Sequence, residues 1–299
     1  MKFKGILYTV LSAVLFGITP LLVSQTYEMG SNPETFTFYR NLLVLPVLAA
    51  IMLVRHISFY LSWRELVLFF VFGIVGFAVT VLTLYSSYQY VGVGTATTLH
   101  FLYPVFVALI CRICLKERLG AAKITALVAA TCGVAFFIDW AHGAALEGVL
   151  LAVVSGLAYA VYMVGLDKTR LRSVSPFKIS FYMAAAAAGA LLVYNIPTQK
   201  IVFALPPLTL LYTFTGALCT SLFAAVLLQL GVKYLSAVTA AIFCLFEPVT
   251  SVVSGWLVLG EELSLLKIIG SIVILASVAF LTLAKGKRLS SGTLPPVER

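Results

Sequence analysis

Glu247 is the sole charged residue between Ala237 and Leu259, a stretch otherwise made of apolar and small residues. A carboxylate in that setting has three uses. It binds a proton, it faces a cationic ligand, or it pairs with a fixed positive side chain. Pro248 follows it, has no N–H, and frees a main-chain carbonyl one turn back. Arg40 is a cation in a comparable place, and its planar fork suits a carboxylate or a phosphate. His100, Tyr103 and Pro104 repeat the theme, with a titratable ring and a hydroxyl beside a second proline. His100 reads either as a proton relay or as a hydrogen-bonded core histidine. Tyr39, Tyr159, Tyr162 and Tyr182, with Phe16, offer aromatic faces for an amine or a ring, or simply for packing.

Other chemistries lack their residues. No phosphate-binding glycine loop with its lysine is present, so ATP-driven pumping by this chain is not expected. No His, Cys and carboxylate set has metal spacing, and no nucleophile–base pair can be placed, so neither a cofactor nor an enzyme is implied. The five cysteines all fall inside apolar runs. Cys111-Arg-Ile-Cys114 lacks a second pair and reads as packing.

The elements that position these residues follow from composition. Hydrophobic residues make up 62% of the chain and charged residues 10%. Soluble domains hold roughly 45–50% and about 25%. The apolar residues fall in runs of about 20, the length of a membrane-crossing helix rather than of an alternating barrel strand. The expected spans are about 5–25, 36–54, 66–87, 94–115, 121–138, 148–166, 178–195, 208–230, 236–259 and 265–284, each end good to ~2–4 residues. This is an all-α polytopic membrane protein with ten transmembrane helices. Lys2-Phe3-Lys4 and the run after it resemble a signal peptide, but no small-residue cleavage site stands out, so the run is read as the first span. The tail, 285–299, is expected to be disordered.

The net charge of +9 does not point to nucleic acid, because the basic residues sit in short loops between apolar runs. With the N-terminus inside, 16 of the 20 Lys and Arg lie on the cytoplasmic side, as the positive-inside rule requires. Glu247 then sits about eleven residues into the ninth span, near the bilayer centre. A carboxylate there costs at least ~2.5 kcal/mol on insertion scales, so it should face the bundle interior or water. Arg40 falls in the outer third of the second span.

The chain also repeats itself. An offset of 144 carries Thr95-Ala96 to Thr239-Ala240, Tyr103-Pro104-Val105 to Glu247-Pro248-Val249, and Gly133 through Phe136 to Ser277 through Phe280; 143 carries Gly5 to Gly148 and Ser12 to Ser155. The halves are 1–140 and 141–284. Five spans per half is an odd number, so the halves face opposite ways, as in transporters built from inverted repeats. Arg40 maps to Met183, so the fold does not need that charge twice.

Thr95-Ala96…Tyr103-Pro104…Glu117, Thr239-Ala240…Glu247-Pro248-Val249…Leu259-Gly260-Glu261 and Asn32-Pro33…Tyr39-Arg40 resemble the EamA-type branch of the drug/metabolite transporter superfamily. The resemblance covers residues 5–284. It departs at Lys116, where that family often has Gly, and at Tyr103, where many members carry Glu. It implies a multi-pass carrier of small metabolites in the cytoplasmic membrane, with both termini inside. It also implies a central cavity lined by spans 1–4 and 6–9, with Phe16, Tyr159 and Tyr162 at positions of cavity aromatics and spans 5 and 10 peripheral.

The expected function is secondary active transport of a small polar metabolite, read as export of an amino acid or a related compound. Glu247 would be the proton or amine site and Arg40 the carboxylate site. The partners are then a small-molecule substrate, the lipid bilayer and a coupling proton, with no nucleic acid. One alternative is a carrier of an organic cation or amine, with uptake allowed. Another is a membrane sensor or scaffold that does not transport.

Overall fold

Nine helices long and apolar enough to cross a membrane stand among the described residues, with a tenth, shorter one between the fourth and fifth. The computed structural model describes residues 2–136, 145–259 and 264–290. In chain order they are α1 (Lys2–Glu28), α2 (Pro33–Val54), α3 (Trp63–Gly92), α4 (Thr95–Cys114), α5 (Ala121–Ala135), α6 (Leu146–Lys168), α7 (Pro176–Thr198), α8 (Pro207–Tyr234), α9 (Ala237–Val258) and α10 (Leu265–Ser290). The expected all-α membrane fold is present, and no strand occurs among the described residues.

Local chemistry sets the helix ends. Asn32 caps α2 by accepting the Thr35 N–H at 2.7 Å. Ser62 and Glu65 cap α3 reciprocally, at 3.0 and 3.3 Å, which satisfies two of its orphan donors. Gly92 has φ +72°, a backbone glycine adopts without a Cβ penalty, and so α3 turns into α4 across two residues. That turn lengthens α3 beyond the expected 66–87. α10 is helical as far as Ser290. Residues 291–299, Asp139, the boundary at 140/141 and the Gly260-Glu261 pair lie outside the described residues.

The two halves repeat in structure as well as sequence. α1 packs on α8 and α9, while α6 packs on α3 and α4; α2 pairs with α7, and α5 with α10. A Cβ on Gly5 would fall 2.7 Å from the Tyr234 side chain, and one on Gly148 would fall 2.5 Å from that of Tyr90. Gly5 and Gly148 are repeat equivalents, and so are Tyr90 and Tyr234. The same glycine–tyrosine contact is therefore made once at each end of the bundle.

Mid-membrane irregularities repeat too. α3 widens to a π-helix over Gly73–Val79, and α8 does so over Leu218–Ala224. α4 breaks after His100, just before Tyr103-Pro104, and α9 breaks at Leu245, just before Glu247-Pro248. Proline cannot donate to the residue one turn back and crowds its carbonyl. The breaks thus fall two to three residues before Pro104 and Pro248. Irregular backbone at this depth is tolerated where it is buried in protein or lines a cavity.

Candidate functional site

The broken and widened helices converge on one internal cavity of about 100 Å³, room for several waters. Arg40 of α2 and Glu247 of α9 both line it, with Phe16 of α1, His100 of α4, and Tyr159 and Tyr162 of α6. Six of the nine expected site residues are brought together there. The other three are not. Tyr39 donates its hydroxyl to the Phe203 carbonyl at 3.1 Å, and Tyr182 donates to Phe59 O at 2.6 Å while stacking on Phe69. Both hydroxyls are held by loop backbone at the two ends of the bundle. Tyr103 is fully buried one layer behind the wall, its ring edge-on to Tyr159 at 4.8 Å and its hydroxyl beside the Cys244 thiol.

Helix lengths explain why Arg40 and Glu247 meet. Glu247 lies ten residues past Ala237, about 15 Å from the end of the bundle where α9 starts. Arg40 lies seven residues past Pro33, about 10 Å from the other end. In a core about 30 Å thick the two differ in depth by only about 5 Å. They make no ion pair with each other. Arg40 is buried, its Nε has no hydrogen-bond partner among the described residues, and Tyr85 stands beside its guanidinium within hydrogen-bonding reach. Glu247 is half-buried because it faces the cavity. Of its three sequence-level roles, the fixed pair with Arg40 is the one not found here.

His100 is anchored from behind. Its Nδ1 lies 2.8 Å from Ser155 Oγ, and Ser155 donates its own proton to Ala152 O at 2.6 Å. With that proton engaged, Nδ1–H is the donor in the pair, and Nε2 keeps a lone pair as acceptor. Gly156 lets α6 approach the His100 carbonyl, which a Cβ would meet at 2.8 Å. Pro104 is what leaves that carbonyl without its helical partner.

Sequence reasoning missed Tyr85, Tyr88, Thr80, Thr97, Thr220 and Ser251, all of which line the cavity. The signal for the tyrosines was Tyr85-Ser-Ser-Tyr88, a polar and aromatic cluster inside a span. The π-helix in α3 shifts the angular register, so its face could not be read from a 3.6-residue period. Towards the end where Thr97 opens α4, the lining reaches within a turn of the helix terminus. Towards the other end, a layer of Val107, Leu166, Val232, Val238 and Phe243, none more than 3% exposed, closes the cavity. That closed end carries Arg55, Arg64, Arg118, Lys168, Arg170, Arg172 and Lys233, and is called the basic end below.

The sequence profile of the EamA-like transporter family matches residues 3–138 and again 146–283. An uncharacterised transporter of Archaeoglobus fulgidus is 29% identical over 273 residues, 90% of this chain and 93% of that protein. The uncharacterised transporter YcbK of Bacillus subtilis is 23% identical over 277 residues, 89% and 88% of the two chains. Human solute carrier family 35 member G1 matches more locally, at 26% over 114 residues, 38% of this chain and 30% of that one. A protein solved by crystallography superposes with a TM-score of 0.78 over 97% of this chain and 99% of the other, at 20% identity. That likeness speaks to the fold.

Proposed function

The chain belongs to the EamA-like transporter family, and from that premise we propose that this multi-pass membrane transporter is a secondary carrier of a small zwitterion of the amino-acid class. One observation carries the reading: a guanidinium and a carboxylate face the same cavity without pairing with each other. With Glu247 ionised, the site carries one fixed charge of each sign and is neutral as a whole. A zwitterion meets both charges and leaves the sum unchanged, whereas a lone cation or anion leaves one buried charge unanswered, which is costly. Arg40 takes the carboxylate through its fork, and Glu247 takes the ammonium.

The same glutamate takes up a proton when the ammonium leaves, which couples the carrier to a proton gradient. Transport runs by alternating access, the two inverted halves exchanging roles about the broken helices α4 and α9. By the positive-inside rule the basic end is cytoplasmic, both termini are inside, and the membrane is the cytoplasmic membrane. The direction is export. The halves act as units 1–140 and 141–284.

The test uses inside-out vesicles holding wild type or Glu247→Gln at matched membrane levels. Uptake of labelled amino acids by the wild type alone supports the reading. Full activity of Glu247→Gln removes Glu247 from the mechanism. A second reading, a carrier of organic cations, draws on the Tyr85, Tyr88 and Tyr159 walls. It requires that Arg40 be dispensable.

A further inference from the structure

Asp167 ends α6 at the basic end, and its side chain is only 1% exposed. Its Oδ1 accepts Arg172 Nη1 at 2.6 Å. Its Oδ2 lies 2.9 Å from Lys168 Nζ and accepts the main-chain N–H of Ala237, the first residue of α9, at 3.1 Å. The partners extend the tie. Lys168 pairs with Glu117 in the loop after α4, and Arg172 donates to the Lys233 carbonyl in the last turn of α8 at 3.3 Å. One buried carboxylate therefore joins the basic ends of α4, α6, α8 and α9, all of which line the cavity. The apolar layer of Val107, Leu166, Val232, Val238 and Phe243 lies just beneath.

The inverted repeat makes this tie informative, because among the described residues the repeat equivalent of Asp167 carries no such tie. Subtracting 143 from 167 gives Ser24, and Ser24 Oγ donates only to Leu21 O of its own helix, at 3.0 Å. Thr35 Oγ1 accepts Val202 N–H at 2.9 Å there, but the charged cross-ties described at that end are more exposed. Glu34 meets Lys200 at 3.0 Å, with the lysine 54% exposed, and Tyr90 donates to Glu147 at 3.2 Å. Exposed pairs contribute little, while a desolvated carboxylate stripped of its partners is costly. Among the described residues, only the basic end carries a buried carboxylate tie of this kind.

We infer that Asp167 is a positioning residue for transport: it holds the first half of α9 in the state closed at the basic end, and must release Ala237 before that end opens. The inference rests on the alternating-access reading above. Asp167 touches no substrate in it. The break at Leu245 gives Ala237–Cys244 a point about which to swing; both segments of α9 pack on α1, Phe246–Leu259 more extensively.

Two cysteine reporters test it in the full chain. Native Cys244 is 1% exposed on the basic side of Glu247, and a Ser251→Cys variant reports the cavity on the other side. Each is alkylated in sealed vesicles by a membrane-impermeant maleimide supplied at one end, and the sites are read by peptide mass spectrometry. Asp167→Asn should raise the Cys244 rate from the basic end and lower the Ser251→Cys rate from the other, each by about fivefold or more, the low end of ordinary coupling energies. Asp167→Glu should restore both. Should Asp167→Asn fail to fold, Arg172→Gln, which leaves the Ala237 bond intact, should give the same reciprocal change at smaller size. Rates that rise at both sites mean a loosened bundle and overturn the inference. Unchanged rates in folded Asp167→Asn overturn it too. A mixture of the common α-amino acids separates the two failures: if it shifts the reporters reciprocally while Asp167→Asn does not, alternation stands and the tie is wrong. If neither shifts them, the alternating-access reading fails with it.

Discussion

Gly17 lies against the main-chain oxygen of Glu247: a Cβ on Gly17 would fall 2.6 Å from that oxygen and 2.7 Å from Thr250 Cβ. α1 thus touches α9 at the level of the membrane carboxylate, with no space for a side chain. Gly17→Ala must move backbone rather than a flexible side-chain tip. Overpacking of this kind costs about 1–3 kcal/mol. The thermal midpoint of the purified protein should fall by a few degrees, and Gly17→Val should also lose transport. An unchanged midpoint in Gly17→Val would show that the contact is looser than described.

Arg40 separates the two substrate readings. Its Nε has no partner among the described residues, and it lines the cavity beside Tyr85. Arg40→Lys keeps the charge but loses the bidentate fork. Its KM should rise about tenfold or more, as expected for one charge-assisted hydrogen bond, with much of the turnover retained. Arg40→Gln should abolish transport. Wild-type kinetics in Arg40→Gln would favour the cation carrier.

Ser155 acts through His100. Removing its hydroxyl by Ser155→Ala leaves the Nδ1–H of His100 without a partner inside the bundle, a loss of about 1–3 kcal/mol. The midpoint should drop, and nitrogen NMR of labelled histidine should show the ring no longer fixed as the Nδ1–H form. A single unchanged tautomer in the variant would mean that another group holds the ring.

The Glu34–Lys200 pair at the end opposite the basic one gives a pH test. The hydrogen bond from Lys200 to Glu34 raises the lysine above its ordinary range. A raised folded-state value contributes stability that is fully present below the unfolded lysine value and is lost as pH rises through the folded one. The lysine is 54% exposed, so the effect is small, under about 1 kcal/mol. Lys200→Met should melt slightly lower than wild type at neutral pH, and the gap should close in strongly alkaline buffer. A gap that widens with pH would contradict the pairing.

Much of this was legible in the sequence, for physical reasons. Apolar run length announces spans, and basic loops set their count, because the bilayer enforces both. Glu247 and Arg40 stood out because charge in that medium is rare unless it faces a cavity. The tyrosines were harder. Tyr39 and Tyr182 resemble Tyr159 by type and span, yet each donates its hydroxyl to a loop carbonyl, a contact made only by the folded chain. Tyr85 and Tyr88 were hidden by the π-helix that turns α3. Asp167 falls one residue past the expected span 148–166, among Lys168, Arg170 and Arg172, and nothing in that setting marks it as buried. Its burial appears only when the first residue of α9 is brought against it, 70 residues away in the chain.

The central claim is that Arg40 and Glu247 together hold one molecule bearing both charges. The most direct measurement is competition against labelled amino-acid uptake in inside-out vesicles. The competitors are the amino acid itself, its amide without the carboxylate, and its deaminated acid without the ammonium. The account predicts strong competition by the zwitterion and at least about tenfold weaker competition by each single-charge analogue, one lost charge-assisted contact apiece. Equal competition by the amide would make the site a cation site. Equal competition by the acid would remove Glu247 from substrate binding, and either result would contradict the account.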